Sequence, residues 1–397
     1  MTRIFSRWTP LALLWPATAT LVSCQRDSAS VTAEPGLPLP GLREAHLAEF
    51  HAGRGLFEKV FSADEGLGPF FNENQCSACH TVPASGGTTG FERIVKATRF
   101  DEVSGCDLLR REGGENVRTR TTPRLQAHGI ERQQLPSRAT EIGRFVAPFL
   151  FGLGLVEAIP ERSILSRADP DDADGDGISG RAGMTPGGRL ARFGRKADVA
   201  TVEDFVESAL RLEMGLTTRD LPNDDSVTLT AVADVDTAPD PEVPQSAVRL
   251  LAAFVRFLGA PAPAQPRSAA HRDTIAHGRS LFQALRCSTC HTPSMRTGRH
   301  SVPALDRRTV ALYSDLLLHD MGPKLANTCG PTATPTEIRT GMLMGLRHRD
   351  RFLHDGRTSD LREAILAHGA EAQRSRDAFD RLPWGRQEIL LKFLRSL

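Results

Sequence analysis

Two short stretches of this chain carry the residues best suited to do chemistry. Each has two cysteines separated by two residues and followed directly by a histidine: Cys76, Cys79 and His80 in the first, and Cys287, Cys290 and His291 in the second. A C-x-x-C pair can act as a redox dithiol, supply half of a zinc site, or bind haem through two thioethers. In the third case the adjacent histidine becomes an axial ligand of the iron.

An internal repeat surrounds the two units. GRGLFEKVF, from Gly53, precedes the first unit, and GRSLFQALR, from Gly278, precedes the second. Each half ends with an amphipathic stretch whose apolar residues recur at intervals of three and four residues. The two stretches are LLAAFVRFL (250–258) and ILLKFLRSL (389–397). A glycine-containing helix, a C-x-x-C-H turn and a crossing closing helix describe a class I cytochrome c domain. We therefore expect a mainly α fold of two class I cytochrome c-like domains.

The predicted domain boundaries follow from this repeat. The N-terminal haem domain spans residues 42–258 and includes inserted loops, because the first half is the longer one. GAPAPAQPR (259–267) links it to the C-terminal haem domain, residues 268–397. Residues 25–41, rich in Ser, Ala, Pro and Gly, form a second linker at the N-terminal side.

The first 24 residues are typical of a bacterial lipoprotein signal peptide. Arg3 and Arg7 precede the apolar run LALLWPATATLV, which is too short for a comfortable membrane span. LVSC then ends at Cys24, where a lipobox places the cysteine that is lipidated. A plain signal peptide that happens to contain this cysteine is the alternative. We expect a mature protein in the bacterial cell envelope, anchored by lipid and facing the oxidising periplasm.

These contexts favour haem at both units. A zinc site would need the two pairs together, yet they lie more than 200 residues apart in separate repeats. A thioredoxin-like dithiol needs a strand before the cysteines, and here a helix is predicted. Since both units stand behind matched helices in an exported chain, we expect two c-type haems with His80 and His291 as proximal ligands.

Bulk composition limits the classes of function. A hydrophobic fraction of 40% with 24% charged residues is normal for a soluble globular protein, and 397 residues suffice for two or three domains. The net charge is +1, from 49 basic and 48 acidic side chains, which argues against a nucleic-acid partner.

Two cysteines remain after lipidation and haem attachment. Cys106 and Cys329 each follow one C-x-x-C-H unit, and an oxidising compartment allows a disulfide between them. Two unpaired buried thiols are the alternative, so the sequence leaves the pairing open.

An acidic loop in the first half resembles a calcium-binding loop. ADPDDADGDGISGR (168–181) places Asp172, Asp174 and Asp176 at alternate positions before Gly177. No glutamate stands at the EF-hand position, so we do not expect an EF-hand. A single structural calcium ion and a plain acidic turn are the two interpretations.

Three segments together resemble the bacterial di-haem oxidoreductases: LYSDLLLHDMGPKL (312–325), FLHDGRTSDLREAILAHGAEA (352–372) and ADGDGISGR. Members of that family are often labelled thiol oxidoreductases, and the family is related to the di-haem cytochrome c peroxidases, which share an HDGR…L-x-E-A segment. The resemblance covers essentially all of the chain after the N-terminal linker. It implies a di-haem protein that takes electrons from a redox protein or a small-molecule donor.

The resemblance also implies distal ligands. In the peroxidases, a methionine shortly after the shared segment is the distal ligand of the second haem. His368 stands at the matching position here, which implies bis-His ligation with His291; an exposed helical histidine is the alternative. For the first haem the relatives place a distal histidine in a loop after C-x-x-C-H, and His128 is the nearest candidate.

Two further residues are candidates for the haem environment. Glu157 is a carboxylate within the apolar run FVAPFLFGLGLVEAIPE (145–161), and the peroxidases use a glutamate as acid/base in O–O cleavage. A structural pairing of Glu157 with Arg144 or Arg162 is the alternative. Arg357 could bind a haem propionate, because a guanidinium holds a carboxylate through two parallel hydrogen bonds.

The expected function is therefore peroxidase-like: reduction of a small oxidant such as peroxide at one haem, fed by an external donor, while the other haem stores electrons. A pure electron-transfer cytochrome with no substrate of its own is one alternative. A thiol oxidoreductase is the other, and it rests on the family label alone.

Overall fold

The computed structural model describes Met1 and residues 31–89, 93–223 and 238–397. Cys24 and the rest of the predicted signal segment lie outside these residues. In this part of the chain, every helix is too short or too polar to cross a bilayer. The α-helices found there are α1 (Glu44–Phe57), α2 (Pro123–Ala127), α3 (Leu153–Glu157), α4 (Glu161–Leu165), α5 (Val202–Met214), α6 (Gln245–Phe257), α7 (Ala269–Ala284), α8 (Leu361–Leu366), α9 (Gln373–Asp380) and α10 (Trp384–Leu394).

The same residues form short strands that mostly pair two by two. The strands are β1 (Thr32–Ala33), β2 (Phe70–Phe71), β3 (Arg93–Asp101), β4 (Gly105–Asp107), β5 (Arg120–Thr121), β6 (Glu141–Val146), β7 (Gly183–Met184), β8 (Leu190–Ala191), β9 (Ala260–Pro261), β10 (Met295–Arg296), β11 (Thr309–Val310), β12 (Leu318–Asp320) and β13 (Glu337–Arg339). The largest sheet is antiparallel with the order β4–β3–β6, and Lys96 of β3 lies opposite Gly143 of β6. Val95 and Ala97 on either side of Lys96 are buried, which is the alternation expected of a half-covered strand.

Helices α1 and α6 cross closely at Gly53. One face of α1 buries Phe50, Gly53 and Phe57, which are three and four residues apart. A Cβ at Gly53 would lie 2.0 Å from the carbonyl oxygen of Leu250 in α6, so only glycine fits at the crossing. The ring of Phe254 in α6 then packs on those of Phe50 and Phe57, with centroids 5.1 and 4.8 Å apart.

The second half repeats this contact at Gly278. A Cβ there would lie 2.5 Å from the Cβ of Phe393 and 2.6 Å from the carbonyl oxygen of Ile389, both in α10. Phe282 of α7, one turn further on, meets the ring of Phe393 edge-on at 5.6 Å. The repeat therefore marks two equivalent helix crossings, one in each half.

The predicted fold class is nevertheless wrong. Of the described residues, 32% are helical and 15% lie in strands or bridges, so the protein is not mainly α, and two class I cytochrome c domains are not what the fold shows. Much of the chain between the first C-x-x-C-H unit and α5 consists of β-structure and turns. The 34 glycines and 26 prolines of the whole chain favour turns, and RIVKATRF (93–100), with its period-two pattern, falls in the half for which we predicted inserted loops.

The larger of the two main hydrophobic clusters contains residues of both halves. The larger cluster joins α1, α3, α5 and α6 to buried residues that follow the second C-x-x-C-H unit, among them Val302, Leu305 and Leu312. The smaller cluster lies between α7 and α10 and includes Tyr313 and Leu346. The segment after the second unit thus packs on the first half, while the boundaries at 258 and 268 stay a prediction.

Two further connections add to this packing, and the second of them joins the halves. Residues 31–41, which belong to the predicted linker, lie against the first half: Thr32 pairs in parallel with Ala260, and Leu39 is buried. The structure also joins Cys106 of β4 to Cys329 in a disulfide, with their Cα atoms 5.8 Å apart. This bond connects the three-stranded sheet to the second half.

Replacing Gly53 with alanine should destabilise the protein, because the new Cβ has to displace the backbone of α6. Overpacking of this kind costs about 1–3 kcal/mol. Gly55→Ala is the matched control, since Gly55 lies in the same helix with open space at its Cβ position, and alanine is preferred to glycine there by up to about 1 kcal/mol. Thermal unfolding should show a lower midpoint for G53A only. Equal midpoints for the two variants would contradict the close crossing.

Candidate functional site

The first C-x-x-C-H unit forms a single turn of 3-10 helix. The turn spans Cys76–Ala78, and the amide of His80 donates to the carbonyl of Cys76 at 3.2 Å. The imidazole Nδ1 lies 3.0 Å from the carbonyl oxygen of Gly87. Phe57, at the end of α1, packs on the ring with centroids 6.1 Å apart. The α1–α6 crossing therefore positions the wall against which this histidine lies.

Burial keeps the side chains of this unit neutral. It lowers the pKa of His80 to about 4, and hydrogen bonding with the carbonyls of Gly87 and Pro148 opposes this only in part. Burial also raises the pKa of the Cys76 thiol to about 12. A neutral imidazole that donates from Nδ1 to a carbonyl directs the lone pair of Nε2 away from that loop, which is the form a metal ligand needs.

The second unit has the same local arrangement. The amide of His291 donates to the carbonyl of Cys287 at 2.9 Å, and the Nδ1 of His291 lies 3.1 Å from the carbonyl oxygen of Tyr313. The ring of Phe282 lies 6.3 Å from that of His291, and Tyr313 lies 6.0 Å from both Phe282 and Phe393. Burial raises the pKa of Cys287 to about 12.

His368, directly after α8, lies beside His291. The two ring centroids are 6.5 Å apart, with the ring planes inclined by 55°. Metal–imidazole bonds are about 2.0 Å long, so two ring nitrogens that share one ion are about 4 Å apart and the ring centres about 6 Å apart. The observed separation fits one iron between the two rings, and the structure brings this predicted pair together.

Burial favours the neutral form of both rings of this pair. Burial lowers the pKa of His291 to about 4, and the charge of His368 acts in the same direction. Burial also lowers the pKa of His368. The Nδ1 of His368 lies 2.8 Å from the carbonyl oxygen of Ala364, one turn earlier. All three buried imidazoles thus have a backbone carbonyl at Nδ1.

The structure does not bring His128 to the first unit. Its side chain is exposed at the end of α2, and no described hydrogen bond or ring contact joins it to His80. In the parts of the chain that the structure describes, the ring that packs on His80 belongs to Phe57, and no second imidazole does so. The two predicted haem sites therefore differ in the residues on their distal side.

Arg357 is occupied by protein partners. Its Nε donates to Oδ2 of Asp355 at 2.6 Å, and its Nη1 donates to the carbonyl of Lys324 at 2.8 Å. The guanidinium is also exposed. Its predicted contact with a propionate would have to displace these bonds.

Glu157 is held between two helices. Its Oε2 accepts from Nε of Arg256 in α6 at 2.6 Å, and its Oε1 accepts from the amide of Val202, the first residue of α5, at 2.8 Å. A carboxylate at a helix N-terminus is favoured by the helix dipole. The contacts are those of a structural carboxylate, although the partner is Arg256 and neither Arg144 nor Arg162.

The acidic loop gathers a different set of aspartates from the one predicted. Carboxylate oxygens of Asp169, Asp172 and Asp174 lie within 4.8 Å of one another. Asp176 instead forms an ion pair with Arg286. Asp169 was missed because it falls outside the alternation that starts at Asp172. The calcium ion stays a prediction.

His319 belongs to a buried polar cluster whose members the sequence did not indicate. Its Nε2 lies 2.8 Å from Oδ2 of Asp315, and its Nδ1 lies 2.7 Å from Oε2 of Glu371 and 3.7 Å from Sγ of Cys290. Burial alone would lower the pKa of His319, but the bonds with Asp315, Cys290 and Glu371 raise it to about 12. The imidazolium of His319 thereby connects Asp315, in the loop before β12, with Cys290 of the second C-x-x-C-H unit.

Comparison with known proteins assigns a family. Residues 129–397 match the family model described as "Di-haem oxidoreductase, putative peroxidase". The structure is similar to a hydrazine synthase chain of Kuenenia stuttgartiensis, with 12% identity, a TM-score of 0.44 and full coverage of both chains. It is also similar to the di-haem peroxidase BthA of Burkholderia thailandensis, with 14% identity and a TM-score of 0.40, over 93% of this chain and 88% of that one. Neither structural likeness is close enough to carry an argument, and no curated protein matches the chain.

The two C-x-x-C-H units fit the two haems that the matched family implies. None of Cys76, Cys79, Cys287 and Cys290 takes part in a disulfide and all four are half-buried, so each unit has two sulfurs that could form thioether bonds. The buried, neutral imidazole that follows each pair is suited to an iron. His368 adds a second imidazole at one of them only.

Glu157→Gln should destabilise the protein by about 1–3 kcal/mol, because it removes the charge from a partly buried, hydrogen-bonded ion pair. Glu161→Gln is the control: the carboxylate of Glu161 is 62% exposed and lies 3.8 Å from Arg192, beyond hydrogen-bond distance, and such a solvated carboxylate contributes at most about 1 kcal/mol. Denaturant unfolding measures both. Unchanged stability of E157Q together with lost peroxide reduction would instead support the acid/base function.

Proposed function

We propose that this chain, which belongs to the di-haem oxidoreductase family and carries two haems, reduces a small oxidant such as peroxide at its first haem and stores electrons at its second. The electrons would come from an external redox protein or a small-molecule donor. The family match supports an oxidoreductase with a peroxidase-like activity. The assignment of a different function to each haem is ours.

The difference between the two proximal histidines carries this proposal. His291 has His368 beside it at 6.5 Å, whereas the described ring neighbour of His80 is Phe57. An iron with an imidazole on both faces has its axial positions filled, which suits electron storage. An iron with an imidazole on one face keeps a position where a small oxidant can bind.

The residues of the chain hold and orient the cofactor. Haem, when bound, supplies one-electron chemistry and the coordination of the oxidant. Cys76 and Cys79 would anchor the first haem, and the carbonyl of Gly87 keeps His80 in the tautomer whose Nε2 can bind iron. Phe57 and Phe254, buried at the α1–α6 crossing, keep water from the proximal wall.

A pure electron-transfer cytochrome is the second candidate, and the contacts of Glu157 favour it. Both carboxylate oxygens of Glu157 accept hydrogen bonds, from Arg256 and from the amide of Val202. A carboxylate so occupied is poorly placed to move a proton to or from an oxidant. Peroxide reduction at the first haem therefore needs another proton donor or water.

Electron paramagnetic resonance and peroxide consumption separate the two candidates. A high-spin signal in the oxidised or half-reduced protein, together with donor-dependent consumption of peroxide, supports reduction at the first haem. Two haems that stay low-spin in both states and leave peroxide unchanged would establish electron transfer alone.

His368→Ala should abolish the low-spin signal of the second haem, because the iron loses the imidazole opposite His291. A high-spin signal equivalent to about one haem per chain should replace it. His128→Ala is the control, since His128 is exposed and should leave the spectrum unchanged. Identical spectra for H368A and the unmodified protein would show that His368 is not a ligand.

We also propose that the protein is exported and anchored by lipid at Cys24, facing the periplasm. The basic start, the short apolar run and LVSC support this proposal. The lipid would keep the haem domains near a membrane-bound or periplasmic electron donor.

Cys24→Ser should move the protein from the membrane fraction to the soluble fraction of the cell envelope, because the thiol that takes the lipid is lost. Ser28→Ala, four residues further along the same segment, is the control and should stay with the membrane. Fractionation followed by haem staining measures both. A C24S variant that still sediments with membranes would contradict lipid anchoring at this cysteine.

A further inference from the structure

Three arginines, Arg195, Arg339 and Arg349, are surrounded largely by protein, and each keeps part of its surface accessible. Burial lowers the pKa of Arg195 to about 9 and the pKa values of Arg339 and Arg349 to about 10. All three guanidinium groups are therefore still charged at neutral pH.

The hydrogen bonds of these arginines go to backbone carbonyls. Arg195 donates to the carbonyl of Val146. Arg339 donates from Nε to the carbonyl of Gly194 at 2.7 Å and from Nη1 to that of Thr340 at 3.1 Å. No described carboxylate forms an ion pair with any of the three arginines. Carbonyl dipoles compensate such charges only in part.

Arg349 is the least satisfied of the three. Its guanidinium lies over the ring of Phe149 at 4.6 Å, and its Nε is buried without a hydrogen-bond partner among the described residues. A buried charged donor without an acceptor is strongly unfavourable. This atom therefore points to an anionic group that completes the site.

The three charges act on one another and on their surroundings. The amide of Arg339 donates to the carbonyl of Arg195 at 2.9 Å, so the two backbones are neighbours. After burial itself, the charges of Arg349 and Arg339 are what lowers the pKa of Arg195 most. Burial, and then the charge of Arg195, lower the pKa of His354 to about 3. The region is thus positive, and the charges of Asp198, Asp315 and Asp355 act on it without forming an ion pair with the three arginines.

The cluster begins at the wall of the first haem site. Phe149, on which Arg349 lies, directly follows Pro148, whose carbonyl is near His80. Val146, the acceptor for Arg195, is two residues before Pro148. Two of the three arginines are therefore attached to the segment that borders the first histidine.

The cluster ends at the wall of the second haem site. The carbonyl of Thr340, which accepts from Arg339, also accepts from Oγ of Ser314 at 2.8 Å. Ser314 follows Tyr313, whose carbonyl holds His291. The three arginines hence lie between the segments that hold the two proximal histidines.

We propose that Arg195, Arg339 and Arg349 form one binding site for carboxylate groups, and that the carboxylates are propionates of the two haems. The inference rests on the di-haem function proposed above. A guanidinium suits this ligand because its planar fork matches both carboxylate oxygens. Arg357 is the poorer candidate, since Asp355 and Lys324 already occupy its fork.

The three arginines should also influence the reduction potentials of the haems. A positive charge beside a haem favours the reduced form, which carries one positive charge fewer at the iron. Removing one guanidinium should therefore favour the oxidised form. A tenfold change in the ratio of oxidised to reduced haem at fixed potential corresponds to 59 mV for a one-electron couple.

The test compares Arg349→Leu with Arg357→Leu in the full-length, haem-loaded protein. The haem content per chain is measured first, and spectroelectrochemical titration then gives the potential of each haem. We expect R349L to lower the potential of at least one haem by about 59 mV, which is a tenfold change in the ratio, and R357L to change it less. Arg349→Lys keeps the charge and should restore most of the potential.

Three outcomes would overturn the proposal. Equal shifts in R349L and R357L, or no shift in either, would show that the buried arginines do not face the haem carboxylates. If the R349L variant does not accumulate, Arg339→Gln and Arg349→Gln are each compared with R357L instead. A wild-type protein with fewer than two haems per chain would overturn the di-haem function itself, and this inference with it.

A small free carboxylate could satisfy the same arginines, and an anion titration distinguishes it from a propionate. Acetate is added to the wild-type protein at constant ionic strength, with chloride as the balancing anion. If the arginines bind propionates of covalently attached haems, the reduction potentials of the haems should not depend on the acetate concentration. Potentials that change with acetate in the wild type but not in R349L would assign the site to a free anion and overturn its assignment to the haems.

Discussion

The predicted iron ligands are buried imidazoles that have to remain neutral, and the rest of the structure depends on this constraint. Burial disfavours the imidazolium and lowers the pKa of both His80 and His291 to about 4. A backbone carbonyl at Nδ1 of each ring then determines which nitrogen carries the proton. Those carbonyls belong to residues seven positions after His80 and 22 positions after His291. The motif therefore supplies the ligand, and the segment that follows it orients the ring.

The helix crossings supply the burial that this constraint needs. Gly53 and Gly278 allow the backbones of α6 and α10 to approach so closely that Phe254 and Phe393 reach the walls of the two sites. The same low-dielectric surroundings make every unpaired charge costly. Glu157 offsets this cost through an ion pair with Arg256, and His319 offsets it through ion pairs with two carboxylates. The buried arginines between the sites have no such partner, which is why an anionic group belongs there.

Features that depend on residue type and short spacing could be predicted from the sequence. The two C-x-x-C-H units and the glycines at the helix crossings are of this kind, and the family match supports two haems. His368 is instead implied by the family resemblance, and its ligation stays a prediction. The fold class is wrong because the matched helices of the repeat account for only part of the chain. Eleven of the thirteen described strands have only two or three residues, too few to show the periodicity by which a strand is recognised; β3, with nine residues, and β6, with six, are the exceptions.

By itself, the sequence determined where haem can be attached and which helices cross, because both follow from a few adjacent side chains. Only the tertiary structure decided which charges are paired. Glu157 meets Arg256 across 99 residues, and His319 meets Glu371 across 52. It also placed His368 beside His291 while leaving His128 exposed. Contacts between residues so far apart in the chain depend on how the helices and strands pack. They produce no short-range pattern in the sequence, so they could not be predicted from it.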